Sequence, residues 1–522
     1  MRRVAAAVVA VLSALVSVAL VVGVVLAPGW EPASLTAVDP LAVAVPPAPT
    51  DLVCPGPARL ATEQEQGDDV AYDPQFDPAP AASTMRVGAI TVDRPTDPAV
   101  PAQLFALGDR SAALAELTPA AGAGVARVTA PGGVVTVRAD PGDGGPAWIA
   151  GTTVVRTDSG DLRGLVAAPC RSAVNEAWLV GGSTTLGSSA RLVLQNPGAT
   201  PAQVSLEVWG PGGPVELAGA AQYIVPAGSE RAVLLEGAAA EQPRIVVHVV
   251  ASGGLVASYL QDSALRGLTP AGVDDVVPGA APALRQVVPG VSVGASEADG
   301  VDVSVLRLLA PEEAGTAQVH VLGPDGEVPL PGGTDVALDA GAVIDLPLGG
   351  LPAGSYTVVV DADVPVLAGA MITRGVDAGA ATRNPDLALE RAWAASVQPG
   401  TVGPLALPGL ASWHLVVAVP EAAPGTDAPD GPADVDVELV GADGAVTTST
   451  PVAAGTSITV GLDDLGEAPG TLSGLVVRTD DPRVVWAVVL DVSQKTGDLV
   501  SVLSPVAPAT RHDAVDVRLG AS

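Results

Sequence analysis

Three stretches of the chain repeat one order of features: a strand ending in proline, a gap, an alternating strand, a glycine turn and a valine. The first runs Leu192-Val193-Leu194-Gln195-Asn196-Pro197, then Val204-Ser205-Leu206-Glu207-Val208-Trp209-Gly210-Pro211-Gly212-Gly213 and Val215. The second runs Leu306-Arg307-Leu308-Leu309-Ala310-Pro311, then Val319-His320-Val321-Leu322-Gly323-Pro324-Asp325-Gly326 and Val328. The third runs Leu415-Val416-Val417-Ala418-Val419-Pro420, then Val435-Asp436-Val437-Glu438-Leu439, Gly441-Ala442-Asp443-Gly444 and Val446. Alternation with period two is a strand signal, and Asp-Gly or Gly-Gly between two such runs closes a hairpin.

Each stretch is followed by a second glycine turn, at Gly228, Gly341 and Gly455, and by a pair of apolar runs: 245–250 with 256–260, 356–360 with 366–371, and 475–478 with 484–490. Gly210, Gly323 and Gly441 stand 113 and 118 residues apart, a period that suits a β-sandwich of about 100 residues and seven or so strands. The spacing predicts an all-β chain of tandem immunoglobulin-like β-sandwich domains at 173–283, 284–390 and 391–505. A less regular unit at 84–172 alternates in Arg86-Val87-Gly88-Ala89-Ile90-Thr91-Val92 and reads as a divergent β domain. Ala- and Leu-rich residues 102–117 and 387–395 are the two places where short connecting helices are expected.

Composition narrows the partners. The 522 residues carry a formal net charge of -32, and phosphate binding needs clustered Lys and Arg, so nucleic acid is excluded as a partner. Hydrophobic residues make up 48% and aromatics 2%, so Val, Leu and Ala must fill the cores, as pleated sheets allow.

Residues 4–27 hold no charge and follow Met1-Arg2-Arg3. As a helix they would extend about 36 Å, enough for a hydrocarbon layer of about 30 Å. Residues 1–27 are therefore expected to form a cytoplasmic stub and transmembrane anchor, with the bulk extracytoplasmic by the positive-inside bias. A cleaved signal peptide is the rival reading, but Pro28 obstructs the small-residue site Val25-Leu26-Ala27. Residues 28–83, rich in Pro, Ala and acidic residues, read as a linker, and 506–522 as a C-terminal tail. The two cysteines, Cys54 and Cys170, fit one disulfide if the chain matures in an oxidising compartment, or else two free thiols. A bridge would close a long loop, contributing about 4–5 kcal/mol in the chain-entropy account.

No catalytic constellation is expected. Ser183, Ser229 and Ser355 follow glycine but lack the second glycine of a nucleophile elbow. His248, His320, His414 and His512 are scattered without metal-ligand spacing. Asp427, Asp430, Asp434, Asp436 and Glu438 could offer oxygens to calcium, but the last three alternate along one strand and read as its solvated face. Trp178, Trp209, Trp393 and Trp413 could form sugar platforms or fill cores. No cofactor, metal or catalytic residue is assigned.

The stretch Asn175-Glu176-Ala177-Trp178-Leu179-Val180-Gly181-Gly182-Ser183-Thr184-Thr185, running into Leu192 to Gly198, resembles a family of uncharacterised membrane-anchored envelope proteins of high-GC Gram-positive bacteria. Cys54-Pro55-Gly56 and Pro169-Cys170 share in the resemblance. It implies an extracytoplasmic protein working near envelope glycan assembly, with no catalytic residues to carry over. The expected role is a non-enzymatic scaffold or interaction protein of the cell envelope whose partner is an envelope protein or glycan. A carbohydrate-binding or carbohydrate-processing protein is the alternative.

Overall fold

The computed structural model describes residues 47–60, 83–374 and 388–508, except 96, 220, 299, 301, 332, 424–428, 430 and 468, together with 41–44, 514–517 and scattered positions within 12–19. Residues 28–40, 45–46 and 61–82 of the expected linker, most of the apolar N-terminal run, Asp427, Asp430 and His512 lie outside the described residues, whereas Thr50–Val53, expected within the linker, is a strand paired with Val135–Ala139. Among the described residues no helix is long and apolar enough to cross a membrane. The chain divides into two compact units. In the smaller one, Leu41–Ala44 pairs antiparallel with Ala514–Val517.

The larger unit, 47–511, is nearly all β and repeats one connectivity four times. The first and fourth repeats have eight strands in two antiparallel sheets; in the second and third the fourth position is shared by two short pieces, Gly213–Pro214 and Gln222–Val225, and Gly326–Val328 and Asp335–Leu338. One sheet takes the first, sixth, third and fourth strands in that spatial order, the other the fifth, second, seventh and eighth. The first repeat runs from Thr50–Val53 to Gly164–Pro169, the second from Glu176–Val180 to Thr269–Val276. The third runs from Ala283–Val293 to Glu390–Ala395, and the fourth from Gly403–Ala406 to Leu499–Leu503. In the third, the sixth and seventh strands are one continuous strand, Gly354–Arg374, which serves both sheets. The less regular 84–172 region therefore holds the same sheet order as its neighbours.

The glycine turns act as the pattern requires. Gly210 pairs with Gly213, Gly323 with Gly326 and Gly441 with Gly444, and the second glycine of each pair has φ of 111°, 115° or 130°. Only glycine reaches that region without strain, so each hairpin depends on it.

Residues 102–117 and 388–395 do not form the helices expected at 102–117 and 387–395. Ala102–Ala106, Ala115–Leu117 and Glu390–Ala395 are strands. Ala102 and Leu104 are buried while Gln103 is exposed, and Gly108, at φ 78°, follows the first strand. Around 390–395, Ala392 and Ala394 are buried where strands from four repeats converge. Small side chains fit that crowding, and packing overrides helix propensity.

Each core spans both sheets of its repeat and runs into the next. The first takes in Val273 of the second sandwich, the second Trp393 of the third, the third Val416 and Val489 of the fourth, and the fourth Val154 and Leu165 of the first. The four sandwiches thus close a ring. Their eighth strands meet at its centre, each against the next: Gly164–Pro169, Thr269–Val276, Glu390–Ala395 and Leu499–Leu503.

These strands are sheet edges, which carry unpaired backbone donors and acceptors. Side chains from other repeats satisfy several of them. Leu165 N–H donates to Glu390 Oε1 (2.9 Å), Ala167 N–H to Ser501 Oγ (3.1 Å) and Trp393 N–H to Asp274 Oδ2 (2.8 Å).

Candidate functional site

The junction of the first two sandwiches gathers Cys54–Gly56, Cys170, Asn175, Pro197 and Gly198 of the residues that carry the sequence resemblance. Cys54 and Cys170 are bonded and buried. The bond fixes the start of a strap, residues 54–60, that crosses from the first sandwich to the second. Thr153 Oγ1 donates to Pro55 O (3.0 Å). Gly56 N–H donates to the Tyr259 hydroxyl (3.2 Å). The Gln261 amide holds the Arg59 backbone at both ends: Oε1 accepts from its N–H (2.8 Å) and Nε2 donates to its carbonyl (2.7 Å). Gln195 Nε2 donates to Cys54 O (3.4 Å) and Glu230 Oε2 (2.8 Å).

The strap lies over a dry polar face. Burial pushes Asp275 up to about 8, helped by the nearby Glu230 carboxylate. Burial also raises the Tyr259 hydroxyl well above its usual range, with Glu230 and Asp275 adding to the shift. A charged carboxylate loses hydration there that the protein does not fully replace.

The Asn196-Pro197-Gly198 turn is held by its own asparagine. Buried Asn196 donates to Thr200 O (2.8 Å) and Val225 O (3.0 Å), and its Oδ1 accepts from Gly198 N–H (2.9 Å). This is an Asx-type bracket, which explains why an amide precedes Pro-Gly here.

The two sandwiches leave between them a cleft of about 1180 Å³. Asp51, Leu107 and Arg110 form one wall, Pro197–Thr200 and 252–255 the other, and 172–175 the connecting side. Asp51 is ion-paired with Arg138 (2.6 Å) and Arg110 (3.4 Å). Elsewhere on the rim, Gly108 and Gly228 approach so closely that a Cβ on Gly108 would lie 2.3 Å from Gly228 O. Both have positive φ, 78° and 62°. The lining holds no aromatic ring and mostly short side chains.

The other residues singled out from sequence fall elsewhere. Trp178, Trp209 and Trp393 are buried, and Trp413 packs partly buried against the fourth core. Trp178 stacks on His248 with ring centroids 3.8 Å apart, and His248 bridges Glu207 (2.9 Å) and Glu176 (3.0 Å). His320 pairs with Glu327 (2.9 Å). Asp434 and Asp436 are exposed on one face of Ala433–Gly441, while Glu438 pairs with Arg478 (3.0 Å). Among the described residues no group of three or more His, Cys, Asp and Glu could hold a metal ion.

One constellation was not anticipated. Ser355 Oγ lies 2.9 Å from His414 Nε2, and His414 Nδ1 lies 3.2 Å from Asp491 Oδ2. Their wide separation in the chain gave no local signal. Gln195, Tyr259 and Gln261 also went unnoticed, although each is a polar group set within an apolar strand, the one hint a buried hydrogen-bonding role leaves.

No curated protein matches the sequence. A family model does match, over residues 120–429, which include the Asn175-to-Gly198 stretch, one cysteine of the bridge and much of the cleft wall. That match covers more than half of the chain, and the chain belongs to this family of unknown function, DUF5719.

Proposed function

We propose that the protein is a non-enzymatic, extracytoplasmic binding or scaffold protein of the cell envelope, tethered by residues 4–27, and that the cleft between its first two sandwiches holds its partner. The observation that carries this reading is convergence: the Asn-Pro-Gly turn and the Ser172-to-Asn175 connection, which follows directly on the disulfide-bonded Cys170, both line that cleft. The buried disulfide suits an oxidising compartment. Each sandwich, in this reading, is a variant of the immunoglobulin-like architecture in which the first strand pairs beside the sixth. The acidic chain favours a protein or a neutral glycan over anionic polymers.

The test compares wild type with Ser252→Trp, which fills the cleft, in capturing solubilised envelope proteins or purified neutral wall glycan, with and without calcium. Capture of a defined partner by wild type and its loss in Ser252→Trp is expected. Equal capture by both variants would place binding elsewhere. Calcium-independent glycan capture, lost in Ser252→Trp, would favour a carbohydrate-binding module at the same cleft.

A further inference from the structure

The first strand of the first sandwich, Thr50–Val53, has an outer side that is only half used. Cys54 donates its N–H inward to Val135 O (2.9 Å). Alternation along a strand then turns the N–H and C=O of Val53 outward, and these exchange bonds with Arg171 at 2.8 and 2.9 Å. Asp51 lies two residues back and faces the same way. Continued antiparallel pairing would set Ala173 against it, but the chain departs: Val174 instead exchanges bonds with Val256 of the second sandwich, at 2.9 and 3.0 Å. The backbone N–H and C=O of Asp51 consequently meet no partner among the described residues, and Asp51 lines the cleft. Pro49, also lining it, has the same parity and offers a carbonyl without an N–H.

Resting on the reading that this cleft is the binding site, we propose that it takes an extended, uncharged polypeptide segment of a partner, which adds as a strand along Pro49–Asp51 and continues the edge that Arg171 begins. Backbone donors and acceptors at strand spacing are complementary to another backbone. The cleft exceeds the roughly 300–1,000 Å³ of small-molecule pockets. Its lining lacks the rings on which sugars stack. Its charged lining side chains, Asp51 and Arg110, pair with each other, so a charged guest finds no counter-ion. Gly198, Ser252 and Gly253 opposite carry little or no side chain, which lets a guest backbone approach closely.

The probe is a displayed library of random peptides of about ten residues, about 33 Å when extended, panned on the full chain. A selected peptide is then remade with single backbone N-methyl groups. Expected is binding that falls about ten-fold or more in Asp51→Pro, which removes the outward N–H, but not in Asp51→Asn, which keeps it. N-methylation at alternate guest positions should weaken binding similarly, without relying on the stability of any protein variant. Amide exchange at Asp51 should slow on peptide binding. A peptide that Ser252→Trp displaces, but that tolerates Asp51→Pro and every N-methyl group, overturns strand addition and leaves the cleft as the site. Failure to select any peptide that Ser252→Trp weakens overturns the peptide proposal. Neutral glycan capture sensitive to Ser252→Trp would then preserve the cleft reading, and its absence would remove both.

Discussion

Ser501 donates its hydroxyl to Asp274 Oδ1 at 3.0 Å, although 227 residues separate them and they belong to the fourth and second sandwiches. Leu165 and Glu390 make the corresponding link between the first and third. Both pairs join sandwiches that are not consecutive in the ring, so the centre ties all four together. Ser501→Ala would leave Asp274 Oδ1 and the Ala167 N–H without this partner in a dry site, at about 1–3 kcal/mol per group. The expected result is a lower melting temperature for the whole unit in calorimetry, with one transition retained. A separate early transition for the fourth sandwich would show that the centre does not couple the repeats.

The buried carboxylates set a pH dependence. Asp275 is raised to about 8, first by burial and then by Glu230, and burial raises Asp274 and Glu390 well above the usual range. A carboxyl with a raised folded pKa holds its proton in the native state after the unfolded chain, near pH 4, has lost it. Its contribution is therefore fully present below about pH 4 and declines as pH rises towards 8. Asp275→Asn removes this titration at nearly constant volume. Melting curves should show the variant gaining on wild type by a few degrees at pH 8 relative to pH 5. A gain of the same size at both pH values would rule out Asp275 as the titrating group.

Strand stretches and hairpin turns were legible where backbone conformation and side-chain alternation agreed. The Gly-x-x-Gly hairpins closed at the glycines that the pattern marked, because positive φ leaves few substitutes. Residues 387–395 misled because alanine is a good helix former, while at the ring centre its small size is what counts. The ring itself left no trace in local pattern: edge strands capped by Glu390, Asp274 and Ser501 read as isolated polar residues in apolar runs. The tryptophans were ambiguous for the same reason. Composition shows a large ring but not that Trp178 and Trp209 pack beside Leu309, Val343 and Leu367 of the next sandwich.

The Gly108–Gly228 approach should tolerate no side chain. Gly108→Val adds a β-branched group at φ 78° and drives its Cβ into Gly228 O. Conformational strain alone is on the order of 1–3 kcal/mol. The expected outcome is a destabilised junction, seen as faster amide exchange in both loops, while exchange in the third sandwich stays unchanged. Normal protection at both loops would mean that they separate at little cost.

Gln261 mimics a paired strand by holding both backbone groups of Arg59. Gln261→Ala should cost about 1–3 kcal/mol, the loss of two neutral hydrogen bonds. Its more specific consequence is local. Trypsin cleaves after arginine, so the bond following Arg59 should be cut faster in the variant than in wild type under native conditions, with the disulfide intact. Equal rates would show that the strap is secured by its other contacts.

The connectivity of Ser355, His414 and Asp491 matches that of a hydrolytic triad, which makes it the sharpest challenge to a non-enzymatic reading. Its setting differs in two respects. Ser355 lies on the long strand Gly354–Arg374, paired in register with Ser292, rather than on a strand-to-helix turn that presents a nucleophile beside oxyanion donors. Its hydroxyl is also hydrogen-bonded to Ser292 Oγ at 3.0 Å, and Ser292 accepts from Arg374 at 2.5 Å. The chain Arg374–Ser292–Ser355–His414–Asp491 therefore reads as a relay that fastens the third sandwich to the fourth. A double-mutant cycle with Ser355→Ala and His414→Ala should give a coupling of about 0.5–1.5 kcal/mol in stability. A fluorophosphonate probe should leave Ser355 unlabelled at neutral pH. Labelling of Ser355 that disappears in His414→Ala would establish an activated serine and make the protein an enzyme.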